Sequence, residues 1–245
     1  METISGISAA PGIAIGRVFI YSHDTPAIPR YAIAEQDVTR EMERFQQAAA
    51  NAHEELEQIK RGGADEITEE QLQILDSHLM MVQDPDFHEQ VHDGVLESLV
   101  NVEWVLYESV QRLLDRLDSS ESEELKERSS DLHDVTNRVL SHLMKRERYS
   151  LADLDHEVVL VAHDLLPSDA IAMPKRMVLG IATDAGGRTS HTAIIARSFE
   201  IPSVLGLSYV SRMAENGDLI IVDGNHGTVV LDPDEETLAR YERES

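Results

Sequence analysis

The chain of 245 residues is long enough for one large domain or two smaller ones with real cores. Its 42% apolar and 27% charged residues are those of an ordinary globular protein. No apolar run is long enough to span a membrane, and METISGISAAPGIAIG lacks a signal peptide's basic start and long apolar core. Cysteine is absent, which excludes disulfides, thiolate catalysis and cysteine-ligated metals and fits a cytoplasmic location. Forty-six acidic against twenty-one basic residues give a formal net charge of -25. Such a surface repels nucleic acid and anionic lipid and would draw in a partner with a basic face; on charge alone, acidity that merely keeps the protein soluble is the simpler reading.

Residues 1–20 read as short β-strands, with Ile4, Ile7, Ile13, Ile15, Val18 and Ile20 interrupted by Pro11, Gly12 and Gly16. A loop with Pro26 and Pro29 follows. From about Glu35 to Arg148 the pattern is helical. Val38, Met42, Phe45, Ala49, Ala52, Leu56 and Ile59 form an amphipathic stripe that Gly62 and Gly63 terminate. Further helices are predicted at about 66–83, 86–99, 101–118 and 121–146. Val102, Val105, Leu106, Leu113, Leu114 and Leu117 are expected to line the inner face of the fourth helix. Leu125, Leu132, Val135, Val139 and Leu143 are expected to line that of the fifth. Long helices with short connections point to a bundle.

From Tyr149 the pattern alternates. Strands are predicted at Val158–Ala162, Met177–Ala182, Ser203–Leu205, Leu219–Val222 and Thr228–Leu231, with helices at Pro167–Met173 and about Ser190–Ser198. This is an α/β domain. The N-terminal β piece is too small to fold alone, so it is expected to join this sheet and leave the helices as an insertion. The chain stops in DEETLARYERES, read as a helical start without a core of its own and taken to mark a fragment of something longer.

The segment ATDAGGRTSHTAIIAR (182–197) carries the chemistry. Gly186 and Gly187 allow the backbone to bend close to a ligand, and Thr189 or Ser190 can cap the helix that follows. His191 then falls in the first helical turn, where N–H groups and the helix dipole favour an anion. Arg188 offers a planar cationic fork to phosphate oxygens, and Thr189, Ser190 and Thr192 can donate further hydrogen bonds. A largely neutral imidazole there can attack phosphorus, in a reaction that needs positioning and charge neutralisation. The plain alternative is a glycine turn, a capped helix and an incidental histidine.

GGRTSHTAIIAR resembles the phosphohistidine signature of the phosphoenolpyruvate-utilising enzymes. The whole chain is similar to the N-terminal domain of the Enzyme I family of the bacterial phosphoenolpyruvate:sugar phosphotransferase system. SGISAAPGIAIGRV, LQILDSHLMMVQD, LKERSSDLHDV, VVLVAHDLLPSD and IPSVLG carry the likeness end to end. The resemblance implies an α/β phosphohistidine (swivelling) domain from 1–24 and 149–245, with an all-α helical-bundle subdomain inserted at 25–148. It implies that His191 takes phosphate from phosphoenolpyruvate, on the imidazole nitrogen distal to the backbone, and passes it to a histidine of the phosphocarrier protein HPr. It places the HPr contacts on Glu69, Glu70, Asp76, His78, Met80, Met81, Asp84 and Asp86, with Arg128 nearby. Acidic side chains and adaptable methionines suit a basic partner.

The same resemblance puts phosphoenolpyruvate binding, magnesium and dimerisation in a C-terminal barrel domain outside this chain, so the 245 residues are expected to be a monomer without a cofactor or metal of their own. No sensory domain precedes Gly6, which leans towards the sugar branch over the nitrogen-regulatory one. One feature departs from the family. Leu166 and Ala170 occupy places where it carries threonines, one of which can bond the active histidine, leaving that task to Ser168 or Asp169.

His88-Glu89-Gln90-Val91-His92 also spells the HExxH zinc-protease pattern, but no third ligand is marked out beyond a nominal Glu103 or Glu108. His53, His133 and His163 read as surface or helix-face residues, and Asp223-Gly224-Asn225 before His226-Gly227 as a hairpin turn. Two rival readings are the swivelling domain of a pyruvate phosphate dikinase or phosphoenolpyruvate synthase, which lacks the helical insertion, and a non-catalytic protein-binding module in which His191 is idle.

Overall fold

The computed structural model describes residues 1–22, 27–62, 67–118, 122–145 and 151–244. Gly63, Pro26 and the predicted helix ends at 66, 121 and 146 lie outside these residues. The chain divides into two compact units, Met1–His23 with Ser150–Ser245, and Asp24–Tyr149.

The first unit is built on an eight-stranded sheet with the order β1-β8-β7-β3-β4-β5-β6-β2. The strands are β1 (Glu2–Ser5), β2 (Ile7–Ala10), β3 (Ile13–Tyr21), β4 (Val158–Ala162), β5 (Val178–Thr183), β6 (Ser203–Leu205), β7 (Leu219–Asp223) and β8 (Thr228–Leu231). The N-terminal piece contributes three strands of the sheet, β3 near its centre and β1 and β2 at its two edges. Ile13–Arg17 pair antiparallel with β7, while Val18–Tyr21 pair parallel with β4. Strands β4, β5 and β6 are mutually parallel, so their C-terminal ends share one edge. Every residue of β4 is buried, as a continuous Val/Leu/Ala run in a parallel strand requires. Val159, Val161, Ala182, Val204, Ile220 and Val222 are at most 1% exposed and form the middle of the core. Helices α6 (Pro167–Ala172), α7 (His191–Ser198), α8 (Val210–Met213) and α9 (Glu235–Glu244) complete the unit. The terminal helix is not without a core: Tyr241 is buried against Ile221 and Val230. A single aromatic in an acidic segment gave no periodic signal.

The second unit contains α1 (Val38–Gly62), α2 (Glu69–Gln83), α3 (Pro85–Ser98), α4 (Val102–Asp118) and α5 (Glu123–Leu143). The predicted stripe of α1 is inward-facing, with Phe45, Ala52 and Leu56 fully buried. Thr68 opens α2 through a capping box with Gln71, and Asp84 caps α3 with Pro85 in its first turn. Leu113 departs from the expected inner face of α4: it is 44% exposed. Glu41 is buried and accepts from the Val102 N–H at the start of α4, and Arg44 bonds both Glu41 and Glu103. Burial opposes the Arg44 charge, but hydrogen bonds to Glu41 and Glu103 outweigh it and hold the guanidinium above its ordinary pKa.

A buried ionic stripe runs along α5. His78 of α2 has no exposed surface, with Nε2 2.9 Å from Asp131 and Nδ1 3.7 Å from Asp134. Arg138, 1% exposed, pairs with Glu55 and lies 3.8 Å from Asp134. His142 Nε2 is 2.9 Å from the second oxygen of Glu55. Positions 131, 134, 138 and 142 follow the three-and-four spacing of one helix face, so four polar residues form a seam where apolar ones would be the rule.

Candidate functional site

Strand β5 delivers the glycine loop to the shared edge of the parallel strands. Its pairing with β4 continues past its end, the Asp184 N–H donating to Ala162 O at 3.1 Å and the Ala185 N–H to His163 O at 2.8 Å. The connection after β6 grips the loop from the other side. Gly206 N–H donates to Ala185 O, Leu207 N–H to Thr183 O and Ser208 N–H to Asp184 O, at 3.3, 3.0 and 3.0 Å. The turn needs glycine at 186, where φ is +100°, a value that strains any L side chain.

Ser190, not Thr189, is the cap of α7: its Oγ accepts from Ala193 N–H at 3.3 Å and donates to Gly187 O at 2.9 Å. His191 is therefore the first residue of α7 and is half-buried. Arg188 and Thr189 are exposed beside it. Two expected phosphate donors are corrected. The Ser190 hydroxyl is spent on the turn, and Thr192, 3% exposed, is buried in the fold. One contributor went unread in the sequence. Arg197, near the end of α7, reaches back to donate to Arg188 O at 3.0 Å and Ala9 O at 3.3 Å, tying the loop to its own helix. An arginine in the last turn of a helix has no signature for that role.

Helix α6 packs against α7. Leu166 and Ala170 are both buried there, as are Ser168 and Asp169. The Asp169 carboxylate accepts a hydrogen bond from the Tyr21 hydroxyl at the end of β3, both residues being at most 5% exposed. The place of the family threonines is thus apolar, with a buried tyrosine–aspartate pair beside it.

On the helical unit Glu69 and Glu70 are exposed in the first turn of α2, and Asp84, Asp86 and Arg128 are also exposed. Met80 is 74% exposed and Met81 half-buried. Asp76 is exposed and 2.5 Å from Lys60 Nζ, a hydrogen bond that holds the lysine above its ordinary pKa. His78 does not belong with these. Fully buried in the seam with Asp131, it cannot meet a partner and instead ties α2 to α5. In the HExxH segment, His88 Nε2 is bonded to Val82 O at 2.7 Å and its ring lies against Phe45 and Phe87.

Residues 5–128 match the family described as PEP-utilising enzyme, N-terminal, and residues 154–227 match PEP-utilising enzyme, mobile domain. The chain is 40% identical over 242 residues to the phosphoenolpyruvate-protein phosphotransferase of Bacillus sp. (strain S), and 37% identical over 242 residues to that of Bacillus subtilis (strain 168). In both cases 99% of this chain is covered but only 42% of the relative, so the chain spans well under half the length of these relatives. A solution structure of an Enzyme I protein (nEIt) is 42% identical, with a TM-score of 0.80, covering 98% of this chain and 97% of that one. The N-terminal domain of Enzyme 1 - Nitrogen, 23% identical with a TM-score of 0.59, shares the fold. The chain belongs to the phosphoenolpyruvate-utilising enzymes, in the Enzyme I family.

Proposed function

We propose that the chain carries a phosphoryl group on His191 and exchanges it with the histidine of HPr. The observation that carries this reading is the placement of His191 as the first residue of a serine-capped helix at the C-terminal edge of the parallel strands, with exposed Arg188 beside it. When phospho-HPr docks, the bond between phosphorus and the partner's imidazole breaks as a new bond forms to the distal nitrogen of His191. The phosphoryl oxygens meet Arg188 and the dipole of α7; the leaving imidazole carries a proton on its other nitrogen and so departs neutral, and His191 keeps the proton on its near nitrogen. The step is reversible because both ends are phosphohistidines.

The exposed face of Glu69, Glu70, Met80, Asp84, Asp86 and Arg128, with half-buried Met81, is the HPr-docking surface in this reading. Its acidity suits a basic partner and Met80 supplies an apolar contact. The remainder of the longer relatives would supply phosphoenolpyruvate binding and dimerisation. Among the described residues no group of three or more His, Cys, Asp or Glu side chains could hold a metal ion, and in this reading the magnesium that the family implies belongs with phosphoenolpyruvate in the remainder of the longer relatives. No helix among the described residues is long and apolar enough to cross a membrane.

His191→Ala separates this reading from a pure binding module. The variant is expected to bind HPr with wild-type affinity in calorimetry yet accept no phosphate. Undiminished labelling would remove His191 from the mechanism.

A further inference from the structure

A second imidazole stands on the same edge as the glycine loop. His163 follows the last residue of β4, and its carbonyl holds Ala185 of that loop. Its side chain is 71% exposed, yet Nδ1 lies 3.3 Å from the Asp184 carboxylate, whose side chain is 1% exposed. Asp184 is itself fixed: Ser211 N–H donates to Oδ1 at 3.0 Å and Ser211 Oγ donates to Oδ2. A buried, immobilised carboxylate behind one ring nitrogen sets the orientation of the imidazole and turns Nε2 outward. Exposed histidines held in this way are costly to arrange for solubility alone, since any polar side chain would serve.

The main chain links His163 to the loop that carries the candidate nucleophile. Ala185 is hydrogen-bonded to His163, and a Cβ on the next residue, Gly186, would sit 3.4 Å from the Ser190 hydroxyl that caps His191's helix. Asp184 thus joins three connections, those after β4, β5 and β6, at the carboxyl ends of parallel strands, where α/β folds bind their ligands. The other charged groups on this edge are Asp164, the sequence neighbour of His163, and Arg188 on the loop.

We propose that His163, oriented by Asp184 and Ser211, is a second functional imidazole of this site, whose Nε2 hydrogen-bonds the phosphoryl group in transit to or from His191. The role rests on the reading of His191 as the acceptor. Nε2–H donates to a phosphoryl oxygen as negative charge spreads over the three equatorial oxygens, and no bond to His163 is made or broken.

Phosphoramidate, a small phosphoryl donor that needs no docking partner, tests this on the 245-residue chain, with label located by peptide mapping. The rate of His191 labelling is measured against pH in wild type, His163→Ala, His163→Gln and Ser211→Ala, alongside thermal stability. Loss of one charge-assisted hydrogen bond is expected to slow His163→Ala about tenfold. The wild-type rate should carry an ionisation that NMR assigns to His163, missing from both His163 variants and retained in Ser211→Ala. Equal rates in wild type and His163→Ala, or slower rates with an unchanged pH profile, would overturn the proposal, the latter by reducing His163 to a support for the loop. Labelling by phosphoramidate without exchange with phospho-HPr would remove the partner and leave the His163 role standing. Absence of His191 labelling from either donor would overturn both.

Discussion

The two units solve opposite problems. The glycine loop is held mainly by main-chain hydrogen bonds to the connections on either side of it, so its position depends on the fold of the sheet. The proposed docking face of the helical unit is made of exposed side chains, and beneath the helices runs an ionic seam of buried His78, Asp131, Asp134 and Arg138 with half-buried Glu55. Phosphoryl transfer requires a reacting nitrogen placed within a fraction of an ångström, which main-chain bonds provide. A docking face needs area and adaptability, which methionine and long acidic side chains provide.

The largest way to break this contrast is in the seam. Arg138→Ala leaves Glu55 and Asp134 without their buried cation, and removing one partner of a buried pair typically costs about 3–5 kcal/mol. Thermal and denaturant unfolding should show the helical unit destabilised by that order, while the amide signals of the glycine loop stay unchanged. Loss of both together would mean that the two units unfold as one.

A smaller effect is expected at the face itself. Met80 is 74% exposed, so Met80→Ala should change stability by no more than about 0.5 kcal/mol, as surface substitutions do. The same change should weaken HPr binding by more than about 1 kcal/mol if Met80 anchors the contact. Calorimetry of the variant against HPr decides between an anchor and an idle exposed side chain.

The smallest effect lies in α9. Asp234 accepts from the Thr237 N–H at 2.8 Å, and that bond, followed by the Thr237 hydroxyl, lowers the carboxyl's pKa below its ordinary value. A lowered folded-state pKa contributes stability above the unfolded value that is lost as pH falls through the folded one. The amide signals of α9 should therefore show fraying in acid, before the sheet is affected, and Asp234→Ala should show the same fraying at neutral pH. An α9 equally ordered in the variant would assign the helix's stability to Tyr241 alone.

These differences also explain what the sequence could reveal. The helices were legible because Val38, Met42, Phe45, Ala52 and Leu56 recur with helical period, and β4 because five apolar residues stand in a row. The candidate site was legible because two glycines, a cap and a histidine must be contiguous to make it. The seam was not, because His78, Asp131, Asp134 and Arg138 have the composition of a solvated surface and are buried only by the helices opposite. Arg197 and His163 were hidden for a related reason: Arg197 bonds Ala9 and His163 bonds Asp184, partners far along the chain that leave no local pattern. Thr192 was assigned to phosphate although the helical period points it inward.

The central claim is that His191 receives phosphate from HPr. Incubation with phospho-HPr, followed by intact mass and acid treatment, tests it most directly. The account predicts a gain of one phosphate that is lost in acid and absent from His191→Ala. No gain while HPr binds would leave a docking module without a competent acceptor, and no gain without binding would contradict the Enzyme I reading of the site and favour a dikinase-type swivelling domain.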